Sequence, residues 1–587
     1  SDQELKEFGT NVQNDIKDFY NLFSNLEYMS STPTLFNSGT THSQMSSCFT
    51  NTVADCLTNE PGTHRYASIM GTNEESAIIS KFAGGLGTDW SQVRHAGAPI
   101  ESTGGRSSGV IPFLKIYNSV AVAADQAGKR KGSFAPYLET WHPDFLQFID
   151  LKKESSDERL SAHDIFPVAW VNDLLMERKD NPKAVWSFFD PSKYPELHTL
   201  HGKEFKELYE KLEQEGKYVR QTSAELMWKK MITSIWETGH PWICFKDTIN
   251  ERNPQRHWGS VLSSNLCTEI TIVTNNDETG VCNLGSVNLT ACLVQDKNTK
   301  KYSFDYKKLR SIIRVAVKML NNVIDNNFYP SERAELSNMR HRPIGLGVMG
   351  LSDVLAALNI DWESQENLEF QDELMYKFSY ATYEASADLA AETSSYLSFP
   401  GSDWSKGILP YDNCNENAKR LTKFEVNEKE LDLLREKVKK GMRNSLCIAI
   451  APTATISNIT NTTPCIEPIF EKEFVKGNLS GSFKVVASPL KYNSNIKTAF
   501  DINQEYVIRA AAVRQKYIDQ SQSTNIFVKA NAKGRDISGY YTLAHLLGLK
   551  TNYYLRRQIQ IEETPKSMTK ELPKVCSINN PNCESCQ

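Results

Sequence analysis

The stretch from Ser263 to Thr290 reads "SSNLCTEITIVTNNDETGVCNLGSVNLT". Asn265, Cys267 and Glu269 fall at alternate positions in it. On an extended segment alternate side chains share a face, so an amide, a thiol and a carboxylate would project together. On a helix of about 3.6 residues per turn, Asn265 and Cys267 would point roughly 200° apart. "TNNDETG" then supplies turn residues, and Cys282 follows on the next strand-like run. Cys267 alone would read as a buried apolar thiol in a hairpin. An amide and a carboxylate on the same face speak against plain core, because buried polar groups need partners.

Outward from this stretch, helical and strand-like segments alternate. "TSAELMWKKMITSIWETG" (222–239) predicts an amphipathic helix. Thr222 and Glu225 form its capping box, Leu226, Ile232, Ile235 and Trp236 lie near one face, and Gly239 ends it. "DYKKLRSIIRVAVKMLNNVID" (305–325) repeats the pattern with Leu309, Ile312, Ile313, Ala316, Leu320 and Val323. "SLCIAIA" and "TNIFVKA" read as strands. The expected class is mixed α/β.

Composition narrows the function. The 587 residues are 40% hydrophobic, enough for a large core, and carry a net charge of -5 with both signs interspersed. The absence of a basic block argues against a nucleic-acid surface, and no run of about 18 apolar residues suggests a membrane span. "SDQELKEFGT" does not read as a signal peptide. Twelve cysteines without a secretory signal indicate a reducing, cytoplasmic setting.

At the other end, "SINNPNCESCQ" puts Cys583 and Cys586 in C-x-x-C spacing, with Cys576 upstream and Pro573 and Pro581 nearby. Apolar periodicity fades from Gln558, so 558–587 is expected to be a flexible tail. Three thiolates fall short of a closed structural zinc site, which takes four ligands. The other reading is a mobile dithiol that reduces a disulfide elsewhere by thiolate exchange.

Seven stretches share one resemblance: "SNLCTEI", "VCNLGS", "RKGSFAPYLETWHPD", "RHRPIGLGVMGL", "RNSLCIAIAPTATIS", "IDQSQSTN" and "NYYLR". Together, from about Ser31 onward, the chain resembles the catalytic large subunits of class I ribonucleotide reductases. The resemblance implies a ten-stranded α/β barrel with a central finger loop, here over 48–557, preceded by a short helical segment, 1–47. Cys267 matches the cysteine that becomes a thiyl radical, Glu269 the general base, and Asn265 the residue that holds the sugar hydroxyls. Cys48 and Cys282 match the thiol pair that reduces the sugar and is left as a disulfide. Cys583 and Cys586 match the tail pair that re-reduces it, itself reduced by thioredoxin or glutaredoxin. Tyr553 and Tyr554 match the tyrosine pair that relays the radical from the metallocofactor of a separate small subunit, so no metal is expected on this chain.

Further assignments follow from the same resemblance. Thr32, Ser47, Thr453, Ala454 and Thr455 match contacts to the substrate diphosphate. Gly84 and Gly85 of "FAGGLGTDW", which lacks the dinucleotide-binding spacing, are expected to allow close approach of phosphates. Asp55, Lys81 and Arg94 resemble contacts to a dNTP or ATP effector. Gln126 and Arg130 resemble the loop residues that read the substrate base. Relatives work as homodimers. Only 47 residues precede Cys48, too few to hold the ATP-binding cone common in the family. His198 and His201 read as a solvated loop, and Cys56, Cys244, Cys292, Cys414, Cys447 and Cys465 as packing thiols. The rivals are an adenosylcobalamin-dependent reductase, against which the Tyr553–Tyr554 pair argues, and an inactive regulatory relative, against which the retained cysteines argue.

Overall fold

The computed structural model describes residues 2–58, 60, 62–125, 132–154, 157–478 and 481–558. Its first half is a set of parallel strands: β2 (Cys48–Thr52), β3 (Gly85–Asp89), β4 (Phe134–Glu139), β5 (Val168–Val171) and β6 (Trp242–Phe245), each paired with the next. Strands covered on both faces are expected to be apolar throughout rather than alternating, and "VAWV" and "WICF" are. The period of two still sorts their sides. Ala135, Tyr137, Val168, Trp170, Trp242 and Cys244 form one buried cluster. Phe134, Leu138, Ala169, Val171, Ile243 and Phe245 belong to another, shared with α2 (Ile69–Lys81) and α3 (Ala224–Thr238).

The second half runs the other way. β7 (Gly280–Asn288) is antiparallel to β2 and parallel to β8 (Ile344–Met349), and β1 (Tyr28–Ser30) pairs antiparallel with the far end of β7. Helices α4 (Tyr306–Asn326) and α5 (Gln365–Glu392) share a core with β7 and β8. Leu309, Ile312, Ile313, Ala316, Leu320 and Val323 of α4 are all buried, as their spacing predicts. Beyond β8, pairing continues through isolated bridges, Leu346 to Ile448 and Ile450 to Gln522. β9 (Ile526–Val528) then pairs parallel with β11 (Leu555–Arg557), while β10 (Thr551–Asn552) pairs antiparallel with β6. The result is a mixed α/β fold with a strongly curled sheet. Among the described residues that sheet has nine laddered strands rather than ten, β9 and β11 standing as a separate pair.

Three local expectations need correction. Ser223, not Thr222, caps α3, accepting the Leu226 N–H at 3.3 Å, and Leu226 is 61% exposed rather than on the buried face. "SLCIAIA" forms only the two bridges above, not a continuous strand. His198 is buried, its Nε2 2.8 Å from Asp89 Oδ2, so "ELHTLHG" is no solvated loop. Among the described residues, no helix is long and apolar enough to cross a membrane.

Candidate active site

The segment between β6 and β7 enters the space enclosed by the curled sheet. Gly87 on β3 makes room for it: a Cβ there would lie 1.7 Å from the Ser264 carbonyl oxygen and 2.9 Å from Asn265 Cα. Gly85, two residues earlier, faces Leu266, 3.3 Å from a Cβ. The Tyr137 hydroxyl donates to the Asn265 carbonyl at 2.7 Å from the first half. Ser521 N–H donates to the Glu269 carbonyl at 2.9 Å from the second. The loop is therefore gripped from both sides.

Its conformation differs from the extended segment expected. Thr268 N–H reaches the Asn265 carbonyl at 3.4 Å, and Thr268 takes a left-handed φ of 66°. A turn at 266–268 thus replaces the strand. The turn breaks the alternation, and the three side chains make different contacts. Asn265 Nδ2 donates to Cys48 Sγ at 3.0 Å, and the Cys48 thiol lies 3.7 Å from Glu269 Oε1. The Tyr553 hydroxyl donates to the Cys267 sulfur at 3.5 Å.

Cys48 and Cys282 are register partners across the antiparallel β2–β7 seam and share one buried cluster. Directly opposed residues have Cα atoms about 4.5–5.5 Å apart, inside the range a disulfide spans. Both are free thiols, and burial pushes both well above the ordinary thiol value, so each carries its proton. Burial also pushes Glu269 up to about 7, opposed by hydrogen bonds from Asn265, Ser523 and Cys48. A carboxyl poised near neutrality suits proton transfer in either direction.

Tyr553 and Tyr554 are in edge contact, ring centroids 4.5 Å apart. Burial raises Tyr553 well above the normal phenol range and Tyr554 to about 12. A phenol held neutral loses its proton with its electron when oxidised. Trp242 touches both rings, at 4.6 and 5.0 Å.

The remaining expected residues scatter around this centre. A cavity of about 730 Å³ is bounded by Ala454, Ser457, Cys465, Ser523 and Tyr553. Thr453, with φ 50°, accepts the Cys465 N–H on its Oγ1 at 2.7 Å, while Ala454 and Thr455 are exposed before the short helix α6 (Ile456–Thr460). Thr32 opens a short helix after β1, and the Ser47 carbonyl accepts Gly85 N–H at 3.0 Å. Gly84 has a packing reason: a Cβ would meet Ile79 at 2.4 Å and Phe49 at 2.7 Å. Asp55 and Arg94 pair with each other at 2.8 Å, whereas Lys81 is exposed at the end of α2 with its ammonium 5.5 Å from the Phe82 ring centroid. Gln126, Arg130, Cys576, Cys583 and Cys586 lie outside the described residues. Gly87, Tyr137 and Ser523 carry no role in the sequence reading; the sequence signals were G-x-G at strand period for the first and the motifs "RKGSFAPYLETWHPD" and "IDQSQSTN" for the other two.

Known proteins resemble this chain over most of its length. The model of the ribonucleotide reductase barrel domain matches residues 46–493 and 488–555. The alpha subunit of ribonucleoside-diphosphate reductase from Chlamydia pneumoniae is 42% identical, over 92% of this chain and 54% of the relative. That from Helicobacter pylori is 40% identical over 92% of this chain and 74% of the relative. Large chain 2 of the Saccharomyces cerevisiae enzyme is 37% identical over 94% and 65%. The chain spans about half the length of its chlamydial relatives. With a matched barrel domain and relatives of this identity, the chain belongs to the ribonucleotide reductase family, among the alpha subunits of ribonucleoside-diphosphate reductases.

Proposed function

We propose that this chain reduces ribonucleoside diphosphates to 2′-deoxyribonucleoside diphosphates by thiyl-radical chemistry. The observation that carries the reading is the 3.5 Å contact between the Tyr553 hydroxyl and Cys267 Sγ, with the Tyr554 ring in edge contact behind. That contact suits moving a hydrogen atom from the thiol to an oxidised tyrosine.

A radical-generating small subunit supplies the oxidising equivalent to Tyr554. Cys267, as thiyl, removes the 3′-hydrogen of the ribose and becomes a thiol. Glu269 takes the 3′-hydroxyl proton as general base, and Asn265 orients the sugar hydroxyls. The 2′-hydroxyl leaves as water with a thiol proton. Cys48 and Cys282 give two electrons and two protons to that water and to C2′, and a bond forms between their sulfurs. Cys267 then returns the 3′-hydrogen and is again a thiyl, while Glu269 returns its proton to the 3′-oxygen and is again a carboxylate. Each turnover thus converts one ribonucleotide and two thiols into one deoxyribonucleotide, one water and one disulfide.

The same reading assigns the diphosphate to Thr32, Ser47 and the 453–455 turn, and a dNTP or ATP effector to the region of Asp55, Lys81 and Arg94, with Gln126 and Arg130 reading the base. It expects a ten-stranded barrel, closed on this side by the bridged segments at 446–450 and 520–522 and by the β9–β11 pair. It assigns re-reduction of Cys48–Cys282 to Cys583 and Cys586, fed by thioredoxin or glutaredoxin, and expects a homodimer.

The test is CDP reduction by the chain with and without candidate small subunits. Product that requires a small subunit supports the reading; product with adenosylcobalamin and no second protein, or none under any pairing, overturns it. Replacing both tail cysteines with Ser should leave one burst of product per site with thioredoxin, and dithiothreitol should restore turnover.

A further inference from the structure

We propose that the segment from Ser521 to Ile526 is a strap that sets the geometry at both ends of the Cys267–Tyr553–Tyr554 path, with Ser523 and Asn525 as its positioning residues. The proposal rests on the roles of Cys267, Glu269 and the tyrosines given above.

Four consecutive residues hold the two groups that must meet. The Ser523 hydroxyl lies 2.5 Å from the Cys267 carbonyl oxygen and 3.3 Å from Glu269 Oε2. The Thr524 carbonyl accepts the Tyr553 N–H at 2.8 Å. Asn525 Oδ1 accepts the Tyr554 N–H at 3.1 Å, and Ile526 N–H donates to the Tyr554 carbonyl at 3.0 Å. Ser521 N–H adds the bond to the Glu269 carbonyl. Loop and tyrosines are thus measured off against one piece of backbone, and one residue of slip would move them apart together.

The strap is itself anchored. Gln520 N–H reaches the Ile448 carbonyl at 3.3 Å, and Ser523 N–H the Ile450 carbonyl at 2.9 Å. Glu467, half-buried on the cavity wall, accepts both the N–H and the Nδ2 of Asn525, at 2.7 and 2.8 Å. That grip fixes the Asn525 amide so that its oxygen faces Tyr554.

Ser523 has a second consequence. Its single hydroxyl proton has two acceptors, the Cys267 carbonyl and the Glu269 carboxylate. When Glu269 is protonated it can donate to Ser523 Oγ, which then donates to the carbonyl. When Glu269 is ionised, the hydroxyl can turn to stabilise it. Removing the hydroxyl disfavours the ionised base. The titratable groups facing Glu269 are Cys48 on β2, Tyr137 on β4, Cys282 on β7, Cys465 after α6, Tyr553 after β10, and Cys267 on its own loop.

The experiment measures single-turnover CDP reduction by full-length chain plus small subunit against pH, with and without 3′-deuteration, for wild type, Ser523→Ala, Ser523→Thr, Asn525→Ala and Glu269→Gln. Ser523→Ala should lose about tenfold at pH 7, the worth of one hydrogen bond. Its acid limb should move to higher pH and its 3′-isotope effect should grow. Ser523→Thr, which keeps the hydroxyl, should restore the limb. Asn525→Ala should slow product formation with the limb unmoved and the isotope effect reduced, because radical delivery then limits the rate. If Ser523→Ala does not fold, Ser523→Cys, near-isosteric with a weak donor, carries the same comparison. Wild-type rate and pH profile in the Ser523 variants, with Glu269→Gln inactive, would overturn the strap and leave the proposed function standing. A wild-type chain inactive with every small subunit would overturn the function instead.

Discussion

The two halves of the curled sheet are built differently. In the first, β2 to β6 pair residue for residue over four junctions. In the second, only β7 and β8 form a long ladder, and the next segments touch at single bridges. Side chains supply what the ladder omits. The Asp519 carboxylate accepts the N–H groups of Cys447 and Ile448 at 2.5 and 2.8 Å, and the Ser521–Ile526 strap holds the loop and the tyrosines. Buried backbone donors must find acceptors, and a carboxylate or hydroxyl can serve where no strand lies alongside. The regular half encloses the loop and carries Cys48; the half held by side chains supplies the strap between Cys267 and the tyrosines. Polar residues within apolar strand-like runs were therefore the sign of the site.

If that division holds, the largest effects come from groups that touch the path. Cys267→Ser should remove all deoxynucleotide formation with the melting temperature unchanged, as read by product assay and calorimetry. Tyr553→Phe and Tyr554→Phe should each do the same, since a phenyl ring cannot form a phenoxyl radical. Wild-type turnover in either tyrosine variant would mean a local radical source.

Next comes a residue of the enclosing half that acts only by making room. Gly87→Ala forces the loop away from β3. Displacing a reacting group by about 1 Å costs on the order of 100-fold in rate, and overpacking costs about 1–3 kcal/mol of stability. Paired kinetic and denaturant measurements separate the two. An active, stable Gly87→Ala protein would show that the loop does not depend on this approach.

Glu269 sharpens the comparison through pH. Its folded value, about 7, is raised above the ordinary 4.5. Below 4.5 it is protonated in folded and unfolded chains alike. As pH rises to 7 the unfolded chain releases its proton first, so stability falls, and above 7 the loss is constant. Relative to wild type, Glu269→Gln should gain stability across that window, by on the order of 3 kcal/mol for a displacement of this size. Urea titrations from pH 4 to 8 measure it. For the reaction the same group predicts a rate that rises with pH around 7, since the base must be ionised to accept a proton.

The smallest effects belong to the outer layer of the enclosing half. Ser223→Ala should cost about 1 kcal/mol through loss of the α3 cap. Leu226→Gln, at an exposed position, should stay within about 0.5 kcal/mol. Neither should change the rate per folded molecule. A large kinetic effect from either would mean that the two halves are not separable.

Much of this was legible in the residues alone. Helix periodicity is local, so α4 could be read from spacing, and of the two strand-like runs "TNIFVKA" contains β9 while "SLCIAIA" forms only bridges. Asn265 and Glu269 stood out because an amide and a carboxylate are rare in plain core, whereas Cys48, Cys267, Cys282 and the tyrosine pair were singled out by the family resemblance. Local spacing misled where the loop was concerned: alternation promised an extended segment, and the chain turns at 266–268 instead, with Cys267 bonded to Tyr553 and Asn265 and Glu269 each in contact with Cys48. The Thr222 capping box failed for a similar reason, since Ser223 offers an equivalent oxygen one residue closer to the helix.

By itself, the sequence determined the mixed α/β class and the helices whose apolar stripe repeats over several turns, because each depends on residue type and near neighbours. Only the tertiary structure decided the Cys48–Cys282 seam, the room that Gly87 leaves for the loop, and the strap that spaces Cys267 from Tyr553. Those contacts join residues dozens to hundreds of positions apart, and no periodicity encodes a distance between strands that meet only after the chain has closed on itself.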